Sequence, residues 1–411
     1  MRVGFRRPVA FVGGRIVVEG GEASAMRADT HVLSVDEPPR PGDVVIDLDG
    51  AYLLPGLING HDHLELNHYG FQAGSGGYRN ATEWIDQMGP RLRGDASIRA
   101  NRAFPLRHRL FIGALKNLLA GVTLVAHHNP LYSGIGRVPV RVLQRFGWAH
   151  SFELEGRAVG ANGELGLPVA RSCAMTPAGA PFFVHAAEGT DATAAGEIDR
   201  LEADGCLRST TVLIHGVAMG VERWGRVLET GVSLVWCPAS NQAMFGTTVP
   251  IRAFLDARPD AWRHITIGTD SRLTGSRDLL DELRAARQLV QVSADELLRM
   301  VTSAAASVLR VEDGGRLRAG SPADLIVVPA VRGTAAESLL AASRAELLAV
   351  VLGGDPQVAH PRFAPLFDAR RVAAARIAVD GAEKVASRRL ARLIAACPIV
   401  EPGVASMSPP A

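Results

Sequence analysis

The stretch from Gly56 to Gly70 reads GLINGHDHLELNHYG and places two histidines, His61 and His63, around one aspartate directly after a short apolar run. In an extended strand the side chains of residues i and i+2 point to the same face, so both imidazoles can lie side by side while Asp62 faces away. Two imidazoles are half of a zinc site. By itself the pattern also fits two polar residues in a loop, so further ligands must come from elsewhere in the chain.

The composition is typical of a globular protein, with 47% hydrophobic and 21% charged residues among 411 and a net charge of +2. The balanced charge and scattered arginines argue against a nucleic-acid partner. The four cysteines are far apart and form no Cys-x-x-Cys pair, which predicts a reducing cytoplasm. No apolar window reaches the length of a membrane span, so we expect a cytoplasmic protein without a membrane partner.

The spacing of apolar runs changes twice along the chain. Before Pro55, short β-type runs alternate with Gly and Pro, beginning with PVAFVGG and RIVVEGG, which we predict to pair as a hairpin. Short apolar runs then alternate with amphipathic segments, as in TVLIHG, RWGRVLETG and VSLVWCP, a pattern typical of a parallel sheet covered by helices. From Gly315 the β-type pattern returns.

These patterns predict an α/β fold, in which a (β/α)8 TIM-type barrel accompanies a small β-sandwich built from both chain ends. The predicted segments are an N-terminal sandwich segment at 1–55, the barrel at 56–314, a C-terminal sandwich segment with a final helix at 315–390, and a partly disordered tail at 391–411.

Polar residues close several of the apolar runs, at the end of a barrel strand where active sites lie. Besides the opening motif they are His127, His128, His185, His215 and Asp270. Any one of them could be an ordinary buried polar side chain, but independent accidents would not choose the same end of successive strands. Three nitrogens and one oxygen are available from His61, His63, His185 and Asp270. This set suits zinc or iron(II) and leaves a position for water.

Glu188 follows His185 by three residues in HAAEG, so a helical turn after the strand would return its carboxyl group to the same side of the pocket. There it could carry protons between water and substrate. The alternative is a solvated carboxylate at the start of a helix, favoured by the helix dipole. Asp270 could serve both as a metal ligand and as the acceptor of the proton from water.

In this order the motifs resemble the amidohydrolase superfamily, and within it the mononuclear-metal branch that includes cytosine deaminase, guanine deaminase and triazine hydrolases. The matching pieces are LLPGLINGHDHLE, GVTLVAHH, FVHAAEG, VLIHGVAM, LVWCPASN, IGTDS and GRLRAGSPADLIVV. The resemblance implies one divalent ion, zinc or alternatively iron, and a homo-oligomer. It implies that the ligands are His61, His63, His185 and Asp270. It further implies that Glu188 is the proton shuttle, that Asp270 takes a proton, and that His215 orients the water or polarises the substrate.

Dinuclear branches of this superfamily usually carry a carboxylated lysine on the fourth strand, and this chain has no lysine between Lys116 and Lys384. The corresponding region, GWAHSFELEG, offers Glu153 and Glu155, so a bridging glutamate and a second ion stay open.

The predicted function is hydrolysis of a carbon–nitrogen bond in a small heterocyclic substrate by metal-activated hydroxide, as in a deaminase. The alternatives are a ring-opening hydrolase of cyclic amides and a non-catalytic relative of the barrel. Only one of the adjacent histidines in GVTLVAHH should face the pocket, because neighbouring residues of a strand alternate in direction. The candidates for substrate contact are His68, Tyr69, Arg79, His127, His128 and Asn241.

Overall fold

A computed structural model describes residues 6–74, 76–157, 164–331 and 333–407. Their contacts divide the chain into two compact units. Unit 1 contains the residues up to Ile58, Leu115–Leu124 and the residues from Asp313 onward, and unit 2 contains Asn59–Ala114 and Val125–Glu312. That the segments 1–55, 56–314 and 315–390 are domains stays a prediction.

The described ranges contain strands and helices throughout. The strands are β1 Val9–Val12, β2 Arg15–Val18, β3 Gly21–Ala23, β4 Met26–Ala28, β5 Val32–Val35, β6 Val44–Asp47, β7 Tyr52–Pro55, β8 Leu57–Asp62, β9 Val122–His127, β10 Arg141–Val142, β11 Gly147–Ala149, β12 Phe182–Ala186, β13 Thr211–His215, β14 Ser233–Trp236, β15 Ile265–Ile267, β16 Leu325–Val328, β17 Ala349–Leu352, β18 Asp355–Ala359, β19 Ala374–Val379, β20 Ala382–Ser387 and β21 Val404–Ser406. The α-helices are α1 Ala81–Gly94, α2 Ala96–Arg102, α3 Leu106–Leu119, α4 Val169–Met175, α5 Ala192–Ala203, α6 Val221–Glu229, α7 Pro238–Phe245, α8 Ile251–Ala257, α9 Leu279–Leu289, α10 Ala294–Met300, α11 Ser303–Val308, α12 Ala335–Ala341, α13 Ala364–Arg370 and α14 Arg388–Ala396.

Unit 1 contains two sheets, one of four strands in the order β5-β4-β1-β6 and one of nine strands in the order β21-β19-β20-β18-β17-β16-β7-β2-β3. A single hydrophobic cluster takes side chains from both, including Phe11 and Met26 from the first sheet and Leu53 and Val327 from the second. The β-rich character predicted for both chain ends is therefore present, and a sandwich stays a prediction.

The predicted hairpin of the first two strands is wrong. β1 pairs with β4 and β6, whereas β2 pairs with β3 and β7 in the other sheet. Gly13, at a φ of +70° that glycine adopts without strain, lies between the two strands. A two-residue glycine turn in the sequence thus connects strands of different sheets.

Unit 2 is built around parallel strands. β11 to β15 form a five-stranded parallel sheet in chain order, and β8, β9 and β10 form a three-stranded sheet in the order β10-β9-β8. The N–H of Asp270, just after β15, donates to the backbone oxygen of His61 in β8 at 3.1 Å. A Cβ on Gly268 would lie 2.7 Å from the Cβ of His61, so only glycine permits this approach.

The two sheets together contain the eight strands that were predicted, and parallel strands alternating with helices are confirmed. Within the described residues no ladder joins β10 to β11, so the strands do not form one continuously hydrogen-bonded barrel. None of the helices in the described ranges is both long enough and apolar enough to cross a bilayer.

Part of the segment 391–411 has regular structure, and that this segment is a partly disordered tail stays a prediction. Helix α14 continues to Ala396, and β21 pairs with β19. The segment is anchored by the buried residues Leu390, Ala391 and Val404, and by a buried ion pair between Glu401 and Arg344 at 2.6 Å. Residues 408–411 lie outside the described residues.

Removal of Arg344 should destabilise unit 1. Its guanidinium is 1% exposed and also contacts Asp380 at 2.9 Å, so Arg344→Ala leaves the buried Glu401 carboxylate without this cation. We expect the free energy of unfolding, measured by urea denaturation, to fall by about 3–5 kcal/mol. The control is Arg376→Ala, which breaks a pair with Glu383 from a side chain that is 69% exposed; there the loss should stay below about 1 kcal/mol. Equal losses would contradict the assignment.

Candidate metal centre

The predicted metal ligands converge at the carboxyl ends of the strands of unit 2. His61 lies in β8, His63 follows it, His185 lies in β12, and Asp270 follows β15. The ligand atoms of His61, His63 and His185 lie within 4.8 Å of one another. Asp270 Oδ1 is 3.8 Å from His61 Nε2 and 3.7 Å from His63 Nε2. The structure therefore brings together all four side chains.

The chemistry of these side chains fits a divalent ion. Nε2 of His61 and Nδ1 of His185 are buried and have no hydrogen-bond partner among the described residues. Burial, and next the neighbouring histidines, hold the pKa of both rings well below the usual range. Both imidazoles are therefore neutral, which is the form that binds metals. Three imidazoles with one carboxylate suit zinc or iron(II).

Asp270 is held in one orientation by three donors. The hydroxyls of Ser240 and Thr274 donate to its Oδ2 at 2.9 Å each, and the N–H of Ser271 donates to Oδ1 at 2.7 Å. Its backbone has a φ of +50°, in the left-handed region. Such a conformation costs a non-glycine residue of order 1–3 kcal/mol and is found mainly at functional sites.

Glu188 and His215 form a second pair beside the ligands. Glu188 Oε1 lies 3.4 Å from His215 Nε2, and His215 Nδ1 lies 2.8 Å from Asn241 Oδ1. Because an amide oxygen only accepts, Nδ1 carries a proton, and Nε2 faces Glu188. Burial raises the pKa of Glu188 to about 7, while His215 lowers it. A carboxyl group with this pKa can both give and take a proton near neutral pH.

The turn that carries Glu188 is supported by Glu197, a residue that no sequence pattern singles out. Glu197 lies in α5, and its Oε2 accepts the N–H of Ala187 at 2.8 Å. Ala187 has a φ of +53°, so the hydrogen bond holds the backbone in a strained turn just before Glu188. A further backbone hydrogen bond joins Glu197 to Glu188, and burial raises the pKa of Glu197 to about 7.

Three further residues lie near the candidate ligands and were not predicted from the sequence: His150, Asn129 and Glu65. His150 follows β11, and its ring centroid lies 5.0 Å from that of His128 and 5.9 Å from that of His63. Asn129 links His150, at 3.0 Å, to Glu65, a buried residue whose pKa is raised by desolvation. For His150 the signal was present, because it closes the run GWA as the other histidines close theirs.

The two glutamates of the segment GWAHSFELEG, Glu153 and Glu155, do not join the candidate metal ligands. Glu153 is exposed, and Glu155 accepts the N–H of Val169 at 2.9 Å and pairs with Arg200 at 3.4 Å. Neither belongs to the group of potential ligands found among the described histidines, so their placement gives no support to a bridging glutamate.

The predicted substrate contacts divide into two groups. His128 faces the ligands, with its ring centroid 4.4 Å from that of His185, whereas His127 faces Glu65 at 3.8 Å. Asn241 contacts His215 through the hydrogen bond to Nδ1. The other three lie in the loop after His63, and none is among the residues that line the pocket beside Glu188. His68 contacts the backbone oxygen of Asn101, Tyr69 is buried against His68, and Arg79 is exposed and pairs with Glu83.

The pocket combines the polar centre with an apolar wall. Its polar lining includes His63, His150, His185, His215, Glu188 and Asp270. Its apolar lining consists of Leu66, Ala81, Trp84, Ile85, Leu154, Met244 and Leu273.

Comparison with known proteins agrees with this site. Residues 164–355 match the Amidohydrolase family. A 5-methylthioadenosine/S-adenosylhomocysteine deaminase from Natronomonas pharaonis is 25% identical over 347 residues, which cover 72% of this chain and 77% of that protein. A protein of the same name from Haloquadratum walsbyi is 35% identical over 131 residues, which cover 30% of this chain and 28% of that protein. The crystal structure of an adenosine deaminase from Xanthomonas campestris with bound zinc aligns at a TM-score of 0.67 and 17% identity, covering 88% of this chain and 97% of that one.

The matched residues 164–355 are just under half of the chain, and over them the chain is similar to the Amidohydrolase family. These similarities support a metal-dependent hydrolase of carbon–nitrogen bonds other than peptide bonds, as the motifs predicted.

Substitution should separate metal binding from proton transfer at this site. We expect His61→Ala and Asp270→Ala to abolish stoichiometric metal, measured by elemental analysis of the purified protein, because each removes a ligand. Glu188→Gln should keep the metal, since its carboxyl group pairs with His215. Arg79→Ala, which changes an exposed side chain, is the control. Loss of metal from Glu188→Gln would contradict its assignment as a proton carrier.

Glu197 should act on turnover by positioning Glu188. Glu197→Ala removes the acceptor of the Ala187 N–H, and we expect kcat to fall by about tenfold to a hundredfold with bound metal unchanged. Glu197→Gln retains an acceptor oxygen and should restore most of the loss. If the alanine and glutamine variants behave alike, the hydrogen bond does not position the turn.

Proposed function

We propose that this protein is a zinc-dependent deaminase that removes an exocyclic amino group from a small aminated heterocycle. Water and the substrate yield the corresponding oxo compound and ammonia. The observation that carries the proposal is the proximity of His61, His63, His185 and Asp270 to one another and, for the last three, to the Glu188–His215 pair in one pocket.

The four proposed ligands would hold one divalent ion, which when bound activates a water molecule and polarises the substrate. Asp270 accepts a proton from the attacking water, since its carboxylate adjoins two of the ligands. Glu188 is protonated for part of the time at neutral pH and donates a proton to the ring nitrogen or the departing amine. His215, whose Nδ1 donates to Asn241, turns Nε2 towards Glu188 and orients that carboxyl group or the water.

We further propose that the heterocycle is an adenosine-type purine nucleoside. The Natronomonas relative, whose alignment covers most of both chains, is named for methylthioadenosine and S-adenosylhomocysteine. Trp84, Leu66, Met244 and Leu273 give the pocket an apolar wall against which a flat aromatic ring can pack. We also propose that the protein has a closed barrel with a β-sandwich and that it uses a single zinc ion. We further propose that it is a homo-oligomer in the cytoplasm.

Release of ammonia tests the proposal. The zinc-loaded protein should release one ammonia per 5′-methylthioadenosine or adenosine, and slowly or not at all from cytosine, guanine, pterins and triazines. Glu188→Gln should lower kcat by about 10²–10⁴-fold at unchanged metal content, the usual size of a lost general acid–base contribution.

Three outcomes would count against it. A ring-opened acid without ammonia, obtained from cyclic amides, would replace the deaminase with the ring-opening alternative. Turnover of triazines or pyrimidines in preference to purine nucleosides would overturn the proposed substrate class. Absence of any turnover after loading with Zn²⁺, Fe²⁺ or Mn²⁺ would favour the non-catalytic alternative.

A further inference from the structure

Two histidines beside the proposed ligands have no role in the proposed deamination. His128 follows directly after β9, and His150 follows directly after β11. The ring centroid of His128 lies 4.4 Å from that of His185 and 5.0 Å from that of His150. The ligand atoms of these three residues lie within 4.8 Å of one another, the same limit that the set of His61, His63 and His185 meets.

His128 shows the same unsatisfied state as the proposed ligands. It is 2% exposed, and neither of its ring nitrogens has a hydrogen-bond partner among the described residues. A buried polar atom without a partner costs about 1–3 kcal/mol. A bound ion would satisfy the ring, and four of its neighbours, His61, His63, His150 and His185, are imidazoles.

His150 is prepared for coordination by Asn129. Glu65 accepts a hydrogen bond from Asn129 Nδ2, which turns the amide oxygen towards His150 Nε2 at 3.0 Å. In this orientation of the amide, whose Nδ2 also lies 3.3 Å from His63 Nδ1, Nε2 of His150 carries the proton and its lone pair is on Nδ1. Metal-binding histidines commonly donate their second ring N–H to an oxygen acceptor in this way.

We propose that His128, His150 and His185 form a second site for a divalent transition-metal ion, next to the one formed with His61, His63 and Asp270. Three imidazoles without a carboxylate suit Zn²⁺, Cu²⁺ or Ni²⁺ and do not suit Mg²⁺ or Ca²⁺. The set has no negative ligand, whereas the first set includes Asp270. The second site is therefore the weaker one and fills after the first.

An ion in this site inhibits the enzyme. His150 and His185 both line the pocket, so the ion takes space from the substrate. His185 belongs to both sets, and because a neutral imidazole has one lone pair, it can bind both ions only by releasing its second ring proton to water. Excess zinc consequently lowers turnover. Inhibition by an ion in the second site rests on the proposed function, whereas binding of the ion to His128, His150 and His185 does not.

Metal binding is tested by titrating the metal-stripped full chain with Zn²⁺. Calorimetry measures the binding during the titration, and elemental analysis after gel filtration measures the metal that stays bound. Wild type should bind two equivalents, the second about tenfold or more weaker than the first because it lacks a carboxylate. His128→Gln and His150→Gln should each keep the first equivalent and lose the second. The matched control, His127→Gln, changes the adjacent buried histidine that faces Glu65 and should keep both. Circular dichroism checks that each variant is folded.

A second readout uses Cu²⁺, whose electron paramagnetic resonance shows coupling to coordinating nitrogens. With the first site filled by Zn²⁺, added Cu²⁺ should show nitrogen coupling in wild type and in His127→Gln, but not in His128→Gln. In activity assays, excess Zn²⁺ should inhibit wild type relative to its rate at one equivalent and should leave His128→Gln uninhibited relative to its own.

Binding of a single equivalent by wild type would overturn the second site, as would two equivalents in both glutamine variants. Loss of both equivalents from folded His128→Gln and His150→Gln would overturn it as well, because these histidines would then belong to the first site. A protein that binds two ions but releases no ammonia from any substrate would refute the proposed function and leave the second site standing.

Discussion

Burial makes a positive charge on an imidazole costly, and this cost governs the centre of unit 2. Six histidine rings cluster there, each with a neighbouring ring centroid at 5.3 Å or less. Burial is the main cause of the low pKa of four of them, with that of His150 at about 3. Uncharged rings can pack together without repulsion. The same state leaves each of these four rings with a lone pair, so the condition that allows them to pack also makes them candidate ligands. The rings of the cluster are His61, His63, His128, His150, His185 and His215.

Two carboxyl groups at the edge of the cluster have different surroundings and therefore different uses. Asp270 receives hydrogen bonds from two hydroxyls and one backbone N–H, which fix its orientation. Glu188 adjoins the imidazole of His215, and desolvation raises its pKa to about 7. The backbone is strained at Asp270 itself, at His215 and at Ala187, the residue before Glu188. Local strain therefore lies at or next to residues whose side chains must be oriented for function.

The sequence predicted the features of this arrangement that follow from periodicity. His61, His185 and Asp270 could be placed together because parallel strands end at one edge, wherever the helices lie. His150 closes a strand of only three residues, which is too short to show a period, so its position after GWA is the only signal in the sequence. Arg79 and His68 lie in a loop, where no period indicates direction, and the structure places both away from the pocket. Glu197 acts through a backbone N–H, a contact that has no signature in residue types.

The hydrogen bond between the Asp270 N–H and the His61 oxygen joins the first and last strands of unit 2, which are separated in sequence by almost all of it. Such distant pairings form late, because the intervening chain must first be organised. Until β15 docks on β8, the imidazoles of His61 and His63 are apart from the Asp270 carboxylate, so the complete candidate ligand set exists only in the folded chain.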